Sequence, residues 1–185
     1  MTISPDDEVT RWALAARSGD RAALERFVRA TQRDVWRFVA FLADADVADD
    51  LTQETYARAL GSLRGFAARA SAKTWLLSIA RRVVVDQVRM ARSRPRVTAG
   101  AVWEQEVDRR SAVTGFEGAV ELTLLLDALD PDRREAIVLT QVLGLSYAES
   151  AEVAGCPVGT IRSRVARARE DLVRAVAADS ASEAG

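Results

Sequence analysis

Four arginines stand within eleven residues near the C-terminus, at Arg162, Arg164, Arg167 and Arg169, and residues 159–169 hold no acid. A guanidinium offers a planar fork of donors that matches a guanine edge or a phosphate, so this cluster has the chemistry of nucleic-acid contact. Small and hydroxyl side chains, Thr160, Ser163 and Ala166, alternate with them and leave room for close approach. A second basic block runs over residues 58–96, with ten bases against one acid, Asp86. It contains Arg64, Arg69, Lys73, Arg81, Arg82 and Arg89. Immediately before it, residues 44–57 carry five acids and no base. Asp49, Asp50 and Glu54, with Gln53 among them, would repel DNA, so they point to a different, basic partner.

Other chemistries are excluded by what is missing. The chain has no histidine and one cysteine, Cys156. A His/Cys zinc site, a Ser-His-Asp triad and an internal disulfide are therefore ruled out. No paired-carboxylate cluster, activated nucleophile or glycine-rich phosphate loop appears, so neither enzyme chemistry nor a metal or cofactor is expected. A lone thiol in a turn reads as packing rather than as a redox sensor. No apolar run reaches membrane-spanning length, and the acidic N-terminus lacks a signal-peptide core, which predicts a soluble, cytoplasmic protein without a membrane partner. The net charge of −1 hides an asymmetry: residues 1–96 hold 17 bases and 12 acids, residues 97–185 hold 9 and 15. Of 26 basic residues all but Lys73 are arginine, a bias that a GC-rich genome alone would produce.

The elements that carry these residues read as helices throughout. From Ser18-Gly19-Asp20 onward, Leu24, Phe27, Val28, Val35, Phe38, Val39 and Leu42 recur at spacings of three and four. The acidic segment Asp49–Leu60 is a helix with Leu51, Ala59 and either Tyr56 or Thr55 inward. Gly61 and Gly65 mark a loop from Gly61 to Ala72. The next helix spans Lys73 to about Arg92, with Leu76, Ile79, Ala80, Val83 and Val84 on one face. Arg81, Arg82, Arg89 and Arg92 fall opposite, with Thr74 and Ser78 among them. Pro95 ends this block, and the weakly periodic stretch Val97 to Gly118 reads as a linker in which Val102-Trp103 is a candidate docking point. A second block starts near Phe116 and runs through Leu122, Leu125, Leu126 and Leu129. Asp130-Pro131 caps a helix that ends at Gly144. Ser146-Tyr147-Ala148-Glu149 spells a capping box for a short helix that ends at Gly155. After the Cys156-Pro157 turn, a helix with Val158, Ile161, Val165, Ala168 and Leu172 inward presents the arginines. Two short helices, a tight turn and a basic second helix form a helix-turn-helix pattern.

Three segments in order resemble the extracytoplasmic-function sigma factors of the sigma-70 class. Asp49-Asp50-Leu51-Thr52-Gln53-Glu54-Thr55-Tyr56 is similar to the family's polymerase-binding helix. Thr74-Trp75-Leu76-Leu77-Ser78-Ile79-Ala80-Arg81, through Asp86 and Arg89, resembles its −10 recognition helix. Gly144-Leu145-Ser146-Tyr147, with Pro157-Val158-Gly159-Thr160-Ile161-Arg162-Ser163-Arg164-Val165 and Arg167-Ala168-Arg169, resembles its −35-reading helix-turn-helix. Within the family, the short chain, the Ala/Arg-rich composition and the segment Gln32-Arg33-Asp34-Val35-Trp36-Arg37-Phe38-Val39 are most similar to the sigma factor C subgroup.

The resemblance implies an all-α protein of two small helical domains joined by a flexible linker. A sigma-2-like bundle would cover residues 20–96 and a sigma-4-like helix-turn-helix domain 118–178, with an N-terminal segment 1–19, a linker 97–117 and a tail 179–185. It implies that Asp49, Asp50, Gln53 and Glu54 dock on the clamp helices of the largest subunit of core RNA polymerase. The −10 element would meet Arg64, Arg69, Lys73, Thr74, Trp75, Ser78, Arg81, Arg82 and Arg89, the loop Leu63 to Lys73 taking up a flipped base. The −35 element would meet Thr160, Arg162, Ser163, Arg164, Ala166, Arg167 and Arg169, with the flap of the second-largest subunit as a further partner. Many members also pair with an anti-sigma factor, which no residue here specifies. Where primary sigma factors carry a tryptophan pair, this chain has Trp75 followed by Leu76, a departure that implies weaker melting. The rival reading is a helix-turn-helix regulator that does not itself confer initiation on polymerase. A receiver-type N-terminal half would show period-2 strand patterning, and none is present.

Overall fold

The computed structural model describes residues 5–43, 45–93 and 119–183. The chain divides into two compact units, Met1–Ala99 and Gly100–Gly185. The expected linker 97–117, with Val102 and Trp103, lies outside the described residues, as do Pro95 and Phe116. Among the described residues every regular element is helical, as expected.

The first unit is a four-helix arrangement: α1 (Pro5–Arg17), α2 (Arg21–Leu42), α3 (Ala48–Ser62) and α4 (Ala72–Ser93). Asp20 caps α2 by accepting from the Ala23 N–H, which satisfies a donor that the first turn leaves unpaired. Phe27, Val35, Phe38 and Val39 of α2 are buried together with Leu51 and Ala59 of α3 and Leu76, Leu77, Ala80 and Val83 of α4. The apolar periodicity thus matches the core at these positions, while Leu24, Val28 and Leu42 of the expected α2 stripe are only half-buried. Both inward candidates on α3 are used. Thr55 is buried, and Tyr56 turns its hydroxyl to Thr31 Oγ1 at 2.7 Å. Burial, only partly offset by that bond, pushes the Tyr56 phenol up to about 12.

Two local expectations are corrected. The N-terminal segment was expected to precede the helical bundle, yet α1 is one of its helices, packed on α2 and α4 with Val9 and Ala13 buried. Its apolar stripe is only a residue wide per turn, too narrow to register as periodicity. Its end chemistry is clear in retrospect: proline at the first position, Asp6, Asp7 and Glu8 in the first turn and Arg17 in the last, all favoured by the helix dipole. Gly61, expected to open a loop, is helical within α3, and a short 3-10 turn continues over Leu63–Gly65. The real loop is therefore residues 66–71.

The second unit contains α5 (Ala119–Asp127), α6 (Pro131–Ile137), α7 (Tyr147–Ala154) and α8 (Val158–Glu183). Helix α6 widens into a π turn over Val138–Val142 before Gly144 stops it in a left-handed conformation, φ 70°. Asp130 accepts from the Asp132 N–H with Pro131 at the helix start, and Ser146 and Glu149 cap each other as the sequence predicts. Gly155 (φ 65°) makes the turn into α8, a conformation that a Cβ disfavours. Leu126, Val138, Leu139, Ile161, Val165 and Ala168 form the core. Val158 and Leu172, expected inward, are respectively exposed and half-buried. They lie beyond the middle turns of α8, where the other helices no longer cover it.

Candidate nucleic-acid interface

On α8 the inner face is set by Ile161, Val165 and Ala168. At 100° per residue the opposite direction falls close to Ser163, Ala166 and Arg167. All three are exposed, as are Arg162 and Arg169 at one edge of that face. Ser163 Oγ donates to the Thr160 carbonyl at 2.9 Å, which keeps a small side chain flat against the helix. Arg162 and Arg167 make no ion pair or hydrogen bond among the described residues, so their forks are open to a ligand. Arg169 leans sideways to Gln141 Oε1 at 3.2 Å. Thr160 is half-buried.

Arg164 behaves differently. It is ion-paired with Asp132 of α6, and its Nη1 lies 3.7 Å from Cys156 Sγ. At about 300° from Ile161 it sits beside the inner face, a position that plotting alone would have separated from the other arginines. A second tie, Arg133 to Asp171, holds α6 to the middle of α8. The Arg133 bond, opposed by desolvation and seconded by Arg174, holds the Asp171 carboxyl below the usual carboxylate range.

In the first unit the expected residues divide along α4. Arg82 and Arg89 are exposed with Val85 between them, and Arg81 is half-buried. The one acid of the stretch, Asp86, is taken up by Arg58 of α3 at 2.8 Å, and the same guanidinium holds Glu54 at 2.7 Å. The exposed arginine face is thereby left without a competing carboxylate of its own helix. Sequence reading missed Arg58, although its spacing of four from Glu54 signals a pair.

At the start of α4 the expectation of an outward polar face fails. Thr74, placed opposite the apolar face, is buried, and its N–H and hydroxyl both meet Ser71 Oγ. Ser78 is half-buried and donates to the Thr74 carbonyl. Lys73 is ion-paired with Asp34 of α2 at 2.8 Å, beside a cavity of about 270 Å³ that Asp6, Glu8 and Trp12 also line. The cause is α1 and the loop, both packed against this end of α4, which no helical plot of α4 alone contains.

The loop itself is held at both ends. Phe66 is buried, with its ring 4.9 Å from that of Trp75, and its carbonyl accepts from Arg17 Nη1 at 2.8 Å. At the other end the Ala72 N–H donates to Thr10 Oγ1 at 2.9 Å. Between these anchors Ala68 adopts φ 51°, unusual for a residue with a Cβ. Arg69 is exposed at the tip, and Arg64 is exposed just before it. Neither Arg17 nor Thr10 carried a sequence signal, because their partners are backbone groups far along the chain. Near the acidic helix's start, Asp50 and Gln53 are exposed, and Asp49 accepts from Trp36 Nε1 at 2.8 Å.

Comparison with known proteins agrees with this layout. Residues 27–94 match the family model "Sigma-70 region 2" and residues 119–172 match "Sigma-70, region 4". The chain is 58% identical over 172 residues to the ECF RNA polymerase sigma factor SigC of Mycobacterium tuberculosis, covering 93% of each chain. Its fold is similar to that of CnrH, solved in complex with the cytosolic domain of CnrY, with a TM-score of 0.71 and 26% identity over 94% of this chain and 99% of the other. It is also similar to the sigma factor RpoE of Bartonella quintana, solved with the anti-sigma factor NepR, with a TM-score of 0.67 and 27% identity over 84% and 98%. A regulator carrying a helix-turn-helix alone would leave residues 27–94 without a counterpart. With both sigma-70 regions matched in one chain and a SigC relative 58% identical over nearly its whole length, this protein belongs to the ECF RNA polymerase sigma factors, the alternative subunits that bind core polymerase, recognise promoter DNA and direct initiation.

Proposed function

We propose that the labour is divided among four surfaces. The start of α3, with Asp49, Asp50, Gln53 and Glu54, docks on the clamp helices of the polymerase's largest subunit. The loop 66–71, with Arg64 and Arg69, takes up a base of the −10 element, and Arg82 and Arg89 of α4 hold the adjoining backbone. Ser163 and Arg167 of α8 read −35 bases, while Arg162 and Arg169 grip phosphates. The exposed Leu124 and Val173 supply apolar surface for the flap of the second-largest subunit. Lys73, Thr74, Ser78 and Arg164 shape these surfaces from within.

The observation that carries this reading is the open outer face of the first turns of α8, residues 159–169, which hold no acid, in the unit that also holds the capped helix-turn-helix. A face that served only solubility would mix both signs of charge. The protein acts in the cytoplasm as a transcription subunit without catalysis of its own, and among the described residues no helix is long and apolar enough to cross a membrane. Since CnrH and the Bartonella RpoE are both solved with a bound protein partner, this chain too takes an anti-sigma partner that masks its polymerase-binding surfaces.

Runoff transcription with purified core enzyme on genomic fragments tests the reading. Start sites that share −10 and −35 elements are expected only when this chain is added. Unchanged initiation by core alone and by the mixture would overturn it.

A further inference from the structure

We infer that α1 is a positioning element for promoter recognition, acting through Arg17 and Thr10 on the two ends of the −10 loop. The inference rests on the assignment of that loop to the −10 element, and it concerns residues that lie before the matched sigma region, which begins at residue 27. Arg17 Nη1 binds the Phe66 carbonyl at 2.8 Å, and Thr10 Oγ1 accepts from the Ala72 N–H at 2.9 Å. Phe66 is the first residue of the loop, and Ala72 is the first of the helix that follows it.

The spacing on α1 is what makes these two bonds a device. Thr10 and Arg17 are seven residues apart, about two helical turns, so they share a face and stand about 10 Å apart along the axis. A rigid helix therefore sets the distance between the loop's two ends. The loop between them has little else to fix its path: Ala67, Ala68 and Ala70 have no polar side chain, and Arg69 is exposed. Ala68 is held at φ 51°, a conformation that a free alanine rarely adopts. Constraint from outside the loop is thus needed to keep it. Other polar groups near these anchors serve α4 instead, since Ser71 caps Thr74. A loop that reads a base through its backbone needs its carbonyls and N–H groups held in register, because its alanine side chains supply no donor or acceptor.

The test uses the full chain assembled with core polymerase on promoter fragments randomised across the −10 element, with the −35 element constant. The variants are Arg17→Ala and Thr10→Val, with Arg17→Lys and Thr10→Ser as conservative restorations. Each lost anchor is expected to reduce the preferred-to-disfavoured base ratio at one −10 position roughly three- to ten-fold, the range of one net hydrogen bond. Core binding and −35 preferences should stay unchanged, and the conservative variants should recover most of the ratio. An equal loss on every −10 sequence, or an unaltered ratio with both anchors removed, would overturn the inference. Arg69→Ala and Ala68→Gly, made in parallel, separate the two levels. If they shift −10 preference while the α1 variants do not, only the role of α1 falls. If neither set shifts it, the loop assignment falls and this inference with it.

Discussion

On α8, Ser163, Arg162 and Arg167 stand on an open helix face, whereas at the start of α4 Lys73, Thr74 and Trp75 are all engaged by the protein itself. Under the proposed division of labour, the difference follows from what each surface reads. A helix lying in a major groove presents side chains to base edges, so its outer face stays free and its inner face does the packing. A flipped base is received by a shaped pocket, and a pocket needs polar groups that hold its walls. The first kind of surface is visible in a helical plot. The second consists of internal bonds, and it looks in the sequence like a further row of DNA contacts.

The largest effects are expected where a charge is reversed at a protein partner. Asp50→Arg with Glu54→Arg should weaken binding to core polymerase by about 2–5 kcal/mol, in the range found when close interfacial charge pairs are broken. Both positions are exposed, so the thermal melt should stay close to that of the parent. Glu54 also binds Arg58, and Asp86 remains to hold that guanidinium. A folded double variant that still co-purifies with core would remove α3 from the docking surface.

A next, slightly smaller effect tests the contrast at α4 directly. If Thr74 faced DNA, Thr74→Arg would add a phosphate contact and tighten binding. Because Thr74 is buried, the added cation is expected instead to destabilise the first unit by about 3 kcal/mol, the scale for forcing a charge or an unpaired polar group into a packed site. The denaturant midpoint of the full chain reads this. Tighter DNA binding with an unchanged midpoint would reinstate Thr74 as a contact.

Burial of a phenol in one unit and ion pairing of a carboxylate in the other give the two units opposite pH limits. Tyr56 has a folded pKa of about 12 against an ordinary 10.0. Its contribution is therefore complete below pH 10 and is lost as pH rises toward 12, about 3 kcal/mol at most for a shift of that size. Asp171 is shifted the other way. Its stabilising effect is present above the ordinary carboxylate pKa and disappears as pH falls through its depressed folded value. Melts of Tyr56→Phe should lose the alkaline slope, and melts of Asp171→Asn part of the acid slope. Identical pH profiles for parent and variants would contradict both assignments.

Much of the architecture was legible because helical burial is periodic. The stripes from Phe27 to Val39 and from Leu76 to Val84, the Asp130-Pro131 cap and the Ser146/Glu149 capping box all sit where the sequence places them. What was not legible depended on long-range contacts. Among the described side chains of helix α1 only Val9 and Ala13 are buried, so its stripe is too sparse to see. Thr74 follows the outward direction of α4 and is buried only because α1 and the loop reach that end. Gly61 breaks isolated helices by its flexibility, yet α3 runs through it, its helical bonds and packing outweighing about 1 kcal/mol of propensity. Arg164 belongs to a different class, since its position near the inner face is readable from spacing alone.

The smallest effects concern single arginines of α8, and they decide whether its outer face reads or merely grips. Arg167, at about 240° from Ile161, lies next to Ser163 at about 200°, close to the centre of that face, while Arg169 at about 80° lies at its edge. Its lean toward Gln141 directs it further from the centre. Arg167→Ala is therefore expected to lose about 1–3 kcal/mol and to relax preference at particular −35 bases. Arg169→Ala should weaken all sequences alike and lower the salt slope by about one phosphate contact. Arg164→Ala should do neither directly. Asp132 would lose its partner, and the change should appear in the melt of the second unit before it appears in base preference. Holoenzyme competition on a −35 single-base library at two salt concentrations, beside melts of each variant, distinguishes the three. A uniform loss for Arg167→Ala, with base preferences intact, would make the outer face of α8 a phosphate grip and leave −35 reading to its edge or to the preceding turn.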